Sequence, residues 1–216
     1  MKYKCVIFDC DGVLVDSEAI QAQVLVDMTD RLGLNLTTEF IIGQFLGKSF
    51  NEIKSYISQR CKHQFPSNFE SEYRRRTYEA FDMELKPIPG IHFVLQNLKV
   101  PFGVASSGPI EKIRRNLRTA KLLDKFGGSI FSCYEIQKWK PSPDIYLHAA
   151  KSMGFAPHEC AVVEDSAAGV QAALGGGFDV FLYSNNTLKN NLNMERVVMF
   201  DDMTKLIALL EASKLK

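Results

Sequence analysis

A four-residue apolar run, Cys5-Val6-Ile7-Phe8, stops abruptly at Asp9-Cys10-Asp11-Gly12, and this junction constrains the fold more than any other stretch. An unbroken apolar run too short for a helix reads as a buried strand, and the glycine lets the chain turn away directly after two acids. Ligands of open α/β sheets gather at the carboxyl edge of their strands. Two carboxylates roughly 4 Å apart at an effective dielectric of about 20 repel by about 4 kcal/mol. A cation between them or a retained proton relieves that conflict; on a loop, the same acids would simply face water. Cys10 lies between them and, on an extended backbone, points opposite to both, which argues against a thiol nucleophile.

Further strands are expected over residues 100–105, 128–133, 160–163, 178–182 and 197–200. Helices are expected between them, over 90–98, 109–123, 167–174 and 203–210, with another opened by Pro141 and Pro143 and stopped by Gly154. This alternation predicts a Rossmann-like α/β fold with a doubly wound parallel sheet. Residues 16–86 break the alternation, showing only helical periodicity over 17–32, 40–46, 50–61 and 68–85 before Pro87 and Pro89-Gly90. The expected organisation is an α/β core of residues 1–15 and 87–216 with an all-helical domain, 16–86, inserted after the first strand.

Composition narrows the function. The chain has 216 residues, enough to bury a full core, and a formal net charge of +1 that gives no electrostatic case for nucleic acid or an acidic membrane. No stretch approaches the length of a membrane span. Five cysteines without a CxxC pair read as reduced thiols, and with no small-residue cleavage site near the N-terminus a cytoplasmic location is expected.

The later strands also end in polar residues. Val104-Ala105 runs into Ser106-Ser107-Gly108-Pro109, where free backbone N–H groups ahead of a helix favour a phosphate; either serine could instead cap that helix. Lys140, between a strand and two prolines, can aim a point charge at the same edge or lie solvated in its loop. Val162-Val163-Glu164-Asp165-Ser166 repeats the opening theme, with Ser166 placed to cap the next helix. Four carboxylates converging there (Asp9, Asp11, Glu164, Asp165) call for a hard divalent cation, and Mg²⁺ fits because it takes oxygen ligands and keeps several waters.

The ordered set Asp9-x-Asp11-Gly12-Val13-Leu14-Val15-Asp16, Ser106, Lys140 and Glu164-Asp165 resembles the haloacid dehalogenase (HAD) superfamily over the whole chain. The resemblance implies that Asp9 is a nucleophile forming an aspartyl-phosphate and that Asp11 protonates the leaving oxygen and then deprotonates water. Ser106 and Lys140, with Ser107 and Gly108, would hold phosphoryl oxygens. Asp9, the Asp11 carbonyl and Asp165 would bind Mg²⁺, with Glu164 joining directly or through water. The helical block would be a cap, whose Leu46-Gly47-Lys48-Ser49 corner would offer Lys48 to the substrate. The implied partner is a small phosphorylated metabolite, and the implied assembly a monomer or weak dimer.

Asp11 argues against dehalogenation, because a halide leaves without a proton. The β-phosphoglucomutases of this superfamily carry a histidine where this chain has Gln21 and an arginine where it has Phe50, which favours hydrolysis over isomerisation. Tyr134-Glu135-Ile136-Gln137-Lys138-Trp139-Lys140-Pro141 is similar to bacterial phosphatases acting on 6-phosphogluconate. Arg74-Arg75-Arg76 looks like a phosphate clamp, yet consecutive helical residues diverge by about 100°, so a solvated face is expected. Gly175-Gly176-Gly177 follows a helix and reads as a stop, His63, His92, His148 and His158 lack metal-ligand spacing, and Trp139 reads as a packing residue.

Overall fold

A computed structural model of the chain describes residues 2–45, 50–183 and 195–212. Its strands in chain order are β1 (Cys5–Phe8), β2 (Val15–Asp16), β3 (Lys86–Pro87), β4 (Phe102–Ser106), β5 (Ile130–Ser132), β6 (Cys160–Glu164), β7 (Asp179–Tyr183) and β8 (Val197–Phe200). Six of them form one parallel sheet in the order β5-β4-β1-β6-β7-β8, while β2 and β3 pair with each other. The chain runs outward through β4 and β5, then returns to place β6 on the other flank of β1. That reversal opens a crevice at the carboxyl ends around β1, where Asp9 emerges.

The chain divides into two compact units, residues 1–15 with 87–216 and residues 16–86. In the first, β1 has neighbours on both edges and no exposed residue. Alternating residues serve opposite faces: Cys5 and Ile7 join Val162 and Val180 beneath Ile145, Tyr146, Ala149 and Ala150 of the helix Asp144–Ser152. The 3–4 spacing of those four residues makes one helical stripe that is fully covered. In the second unit, the helices Glu18–Asp30, Thr38–Phe45, Phe50–Ser58 and Phe69–Glu84 share a core that includes Leu25, Met28, Ile41, Phe45, Ile57 and Phe69. The three arginines pair with glutamates of their own helix: Arg74 with Glu70, Arg75 with Glu72 and Glu79, and Arg76 with Glu72. No helix of the described residues is long and apolar enough to cross a membrane.

Two details differ from expectation. The helix anticipated over 109–123 is two helices, Ile110–Thr119 and Leu123–Phe126. Leu122 N–H bonds back to Leu117 O at 2.7 Å and Lys121 N–H to Arg118 O at 3.0 Å, a Schellman stop with Lys121 at φ 57. Burial of Leu117 and Leu122 favours this turn where glycine is usual. The short helix Cys133–Ile136 follows from a capping box, with Ser132 Oγ accepting from Tyr134 N–H and Glu135 accepting from Ser132 N–H.

At the amino end of β7, buried Asp179 accepts from Lys2 Nζ, Tyr3 Oη and Arg196 Nε, each at 2.8 Å. Burial pushes this carboxyl up, but the three donors overrule it and hold it below the ordinary carboxylate range. A depressed folded pKa contributes stability that is complete above the unfolded value of about 3.9 and is lost as pH falls through the lower folded value. Asp179→Asn is therefore expected to cost about 2 kcal/mol at pH 7, and thermal melts at decreasing pH should show the gap to wild type closing below about pH 4.

Candidate active site

Asp9 is the first residue past β1, and its N–H donates to Val163 O of β6 at 2.9 Å, so sheet pairing fixes the backbone of the acid. The next turn is tight. Cys10 O accepts from Leu14 and Val15 N–H at 2.9 and 3.1 Å, and Gly12 adopts φ 77. A side chain at Gly12 would be strained and would overlap the Asp165 carboxylate. Glycine there lets the acid after β6 approach the loop after β1. The Cys10 thiol is buried, and burial followed by the negative charges of Asp11 and Asp9 pushes it well above its ordinary pKa.

Lys140 ties these strand ends together. Its Nζ lies 2.6 Å from Asp9 Oδ1, 2.7 Å from Glu164 Oε1 and 3.4 Å from Ala105 O, and 4.8 Å from the Tyr146 ring centre. Burial opposes the ammonium, but Asp9 and Glu164 keep it protonated, well above the lysine range. Glu164 is wholly buried and fully used. Oε1 also accepts from Tyr146 Oη at 2.8 Å, and Oε2 accepts from Asp165 N–H, Ser166 N–H and Ser166 Oγ at 2.8, 2.8 and 3.0 Å. Burial resists its ionisation, yet Lys140 and these donors hold the carboxyl below its usual range. Ser166 caps the helix Ala167–Gly175 through Gly169 N–H, and a Cβ at Gly169 would overlap Glu164. For Asp9, burial is the larger influence: it raises the carboxyl to about 7, with Lys140 opposing and Glu164 adding to the rise.

Asp9, Glu164 and Asp165 each bring a carboxylate oxygen to within 4.8 Å of the other two. Lys140 touches Asp9 and Glu164, and Asp165 brings a third acid beside them in a largely buried place. A hard divalent cation with oxygen ligands fits this donor set. Lys140 takes Asp9 Oδ1, and among the described residues nothing donates to Oδ2. The Asp11 side chain is not part of this group; its Oδ2 meets Lys112 Nζ at 2.7 Å and its Oδ1 lies 3.4 Å from Asn116 Nδ2.

Ser106 ends β4, beside β1, and its buried Oγ accepts from Gly108 N–H at 3.1 Å, which leaves the hydroxyl proton free to donate. Neither serine caps the following helix, whose N-cap is Pro109. Ser107 is exposed, with Cys133 Sγ 3.9 Å from its Oγ. Lys48 lies outside the described residues. His148 packs edge-on against Phe131, Trp139 edge-on against Tyr134, and Gly176 and Gly177 end a helix before β7.

A profile of haloacid dehalogenase-like hydrolases matches residues 3–177. The chain belongs to this family. It is 32% identical to 6-phosphogluconate phosphatase from Escherichia coli over 98% of this chain and 96% of that protein, and 29% identical to β-phosphoglucomutase from Bacillus subtilis over 81% and 80%. Among solved structures, a HAD family hydrolase from Deinococcus radiodurans, crystallised with phosphate and sodium, superposes with a TM-score of 0.80 at 30% identity, covering 97% of this chain and 95% of that one. The chain is thus a phosphatase of the HAD family.

Three residues of this HAD site escaped the sequence reading. In the sequence, Tyr146 is one aromatic residue among the apolar residues of its helix. Lys112 and Asn116 sit in a helix crowded with Glu111, Arg114, Arg115 and Arg118, where one inward-turned lysine carries no local mark. A faint signal existed: their i,i+4 spacing puts lysine and asparagine on one face.

Glu164→Gln separates anchoring from metal binding. The amide would face backbone donors with an NH₂ group and leave Lys140 short of one charge. Breaking a buried pair costs about 3–5 kcal/mol, so the melting temperature of metal-free protein is expected to fall by about 10 °C. A ligand alone would change the metal requirement and leave the metal-free melt in place.

Proposed function

We propose that this phosphatase hydrolyses a small sugar phosphate or sugar-acid phosphate, with 6-phosphogluconate foremost, through a phospho-enzyme formed on Asp9. The reading is supported above all by Asp9, which pairs with Lys140 from a distant loop and lies within 4.8 Å, oxygen to oxygen, of Asp165 at the end of β6. An Asp9 oxygen attacks phosphorus while the ester P–O bond breaks, and protonated Asp11 gives its proton to the leaving oxygen. Water then attacks phosphorus, Asp11 takes up its proton, and orthophosphate leaves Asp9 as a free carboxylate. Ser106, through its free hydroxyl proton, and Lys140, which already touches Asp9, hold the phosphoryl oxygens, and exposed Ser107 can add to them. Asp9 and Asp165, with the Asp11 carbonyl, would hold Mg²⁺, and Glu164 would stay with Lys140. When bound, Mg²⁺ supplies positive charge that offsets repulsion between carboxylates and phosphoryl oxygens.

The specificity for the sugar acid rests on the similarity to the E. coli enzyme. Isomerisation of the phosphoglucomutase kind is less well supported. Gln21 Nε2 donates to Ser17 Oγ at 3.1 Å, and the Phe50 ring stacks on Tyr73 at 5.2 Å, so neither position offers the charged group described for those enzymes.

With Mg²⁺, wild type is expected to release phosphate from 6-phosphogluconate in preference to neutral sugar phosphates, and a chelator should abolish that release. Asp9→Asn should lower kcat on p-nitrophenyl phosphate by about 10⁴-fold or more, with the circular dichroism spectrum unchanged. Wild type inactive across a broad panel of phosphorylated metabolites with Mg²⁺ would overturn the reading. Isomer formation outpacing phosphate release from glucose 1-phosphate plus its bisphosphate would replace it with a mutase.

A further inference from the structure

We propose that Lys112 is a positioning residue for Asp11: with Asn116 it grips both carboxylate oxygens and aims the acid at the leaving oxygen of the substrate. The proposal rests on the reading of Asp11 as the acid that protonates that oxygen.

The grip comes from one rigid face. Lys112 and Asn116 are one turn apart on the helix Ile110–Thr119, and Ile113 and Leu117 of the same helix are buried in the core unit. Lys112 Nζ reaches Asp11 Oδ2 at 2.7 Å, and the Asn116 amide approaches Oδ1 at 3.4 Å. The ion pair is sheltered, with side-chain exposures of 14% for Lys112 and 26% for Asp11. Asn116 is wholly buried, and its Oδ1 has no hydrogen-bond partner among the described residues. An orphaned amide oxygen is a cost, and the neighbour served by the rest of that amide is Asp11.

The clamp is also joined to the phosphate end of the site. A Cβ on Gly108 would come within 3.3 Å of Lys112 Cδ, so the lysine stem runs closely over the loop that follows Ser106. The helix whose N-terminal approach carries Ser106-Ser107-Gly108 therefore carries, one turn further on, the hold on the acid. Asp11 itself stands on the turn beyond β1. A donor at each oxygen fixes the plane of the carboxylate, and a misplacement of about 1 Å can cost about 10²-fold in rate.

The test compares two esters at one pH, using kcat/KM, which ends at transfer of the phosphoryl group to Asp9. An alkyl phosphate needs a proton on its leaving oxygen; 2,4-dinitrophenyl phosphate does not. Lys112→Met keeps the stem and removes the charge. It is expected to lower kcat/KM on the alkyl ester by about 10²-fold and on the dinitrophenyl ester by less than about threefold. Lys112→Arg should recover most of the loss. Should Lys112→Met fail to fold, Lys112→Gln carries the same comparison. Equal falls on both esters, or no fall on either, would overturn the role of Lys112. Asp11→Asn calibrates the assay. If it discriminates between the esters and Lys112→Met does not, only the positioning role fails. If Asp11→Asn itself lowers both equally, the reading of Asp11 as leaving-group acid fails and takes this proposal with it.

Discussion

One buried ammonium, Lys140, is shared between Asp9 and Glu164, and the rest of the site depends on it. Taking charges out of water costs several kcal/mol per ion, and the attraction between them offsets this only when the geometry is good and the remaining valences are filled. The valences are filled unevenly here. Glu164 is saturated by Lys140, Tyr146 and the chain around Ser166, whereas among the described residues nothing donates to Asp9 Oδ2. That asymmetry distinguishes two acids at neighbouring strand ends: one is fixed in the scaffold through both oxygens, and the other is held through one.

The acids approach one another because two positions lack side chains. Gly12 leaves room for Asp165, and Gly169 leaves room for Glu164. Like charges are brought together by removing steric obstacles and are then kept together by a lysine and a place suited to a cation. The fold supplies the crowding and electrostatics supplies the tolerance. Asp11 is handled separately, by Lys112 and Asn116 from a different helix, so neighbouring carboxylates on one short loop meet distinct surroundings.

Much of this was legible in the sequence because strand ends obey local rules. An apolar run closed by acids announces Asp9, Glu164 and Asp165, and glycine after the first run announces the turn. The alternation of strands and helices, interrupted by a purely helical block, anticipates the parallel sheet. What stayed hidden depends on packing between distant elements. Lys112 resembles its charged neighbours until the helix Ile110–Thr119 is laid beside the loop after β1. Tyr146 reads as core until its hydroxyl is found on Glu164. Lys121 carries no mark of a helix stop, because that stop is made by two leucines burying themselves around it. Arg74, Arg75 and Arg76 illustrate the converse: intrahelical geometry alone decides their partners, and the sequence suffices.

Asp9 and Lys140 are 131 residues apart in the chain, and Glu164 is farther still. While the polypeptide is being synthesised, Asp9 is therefore made long before the lysine that pairs with it. Until β6 has docked against β1, Asp9 stands apart from Glu164 and Asp165. The full cluster of charges can thus form only after its last member has been made and packed.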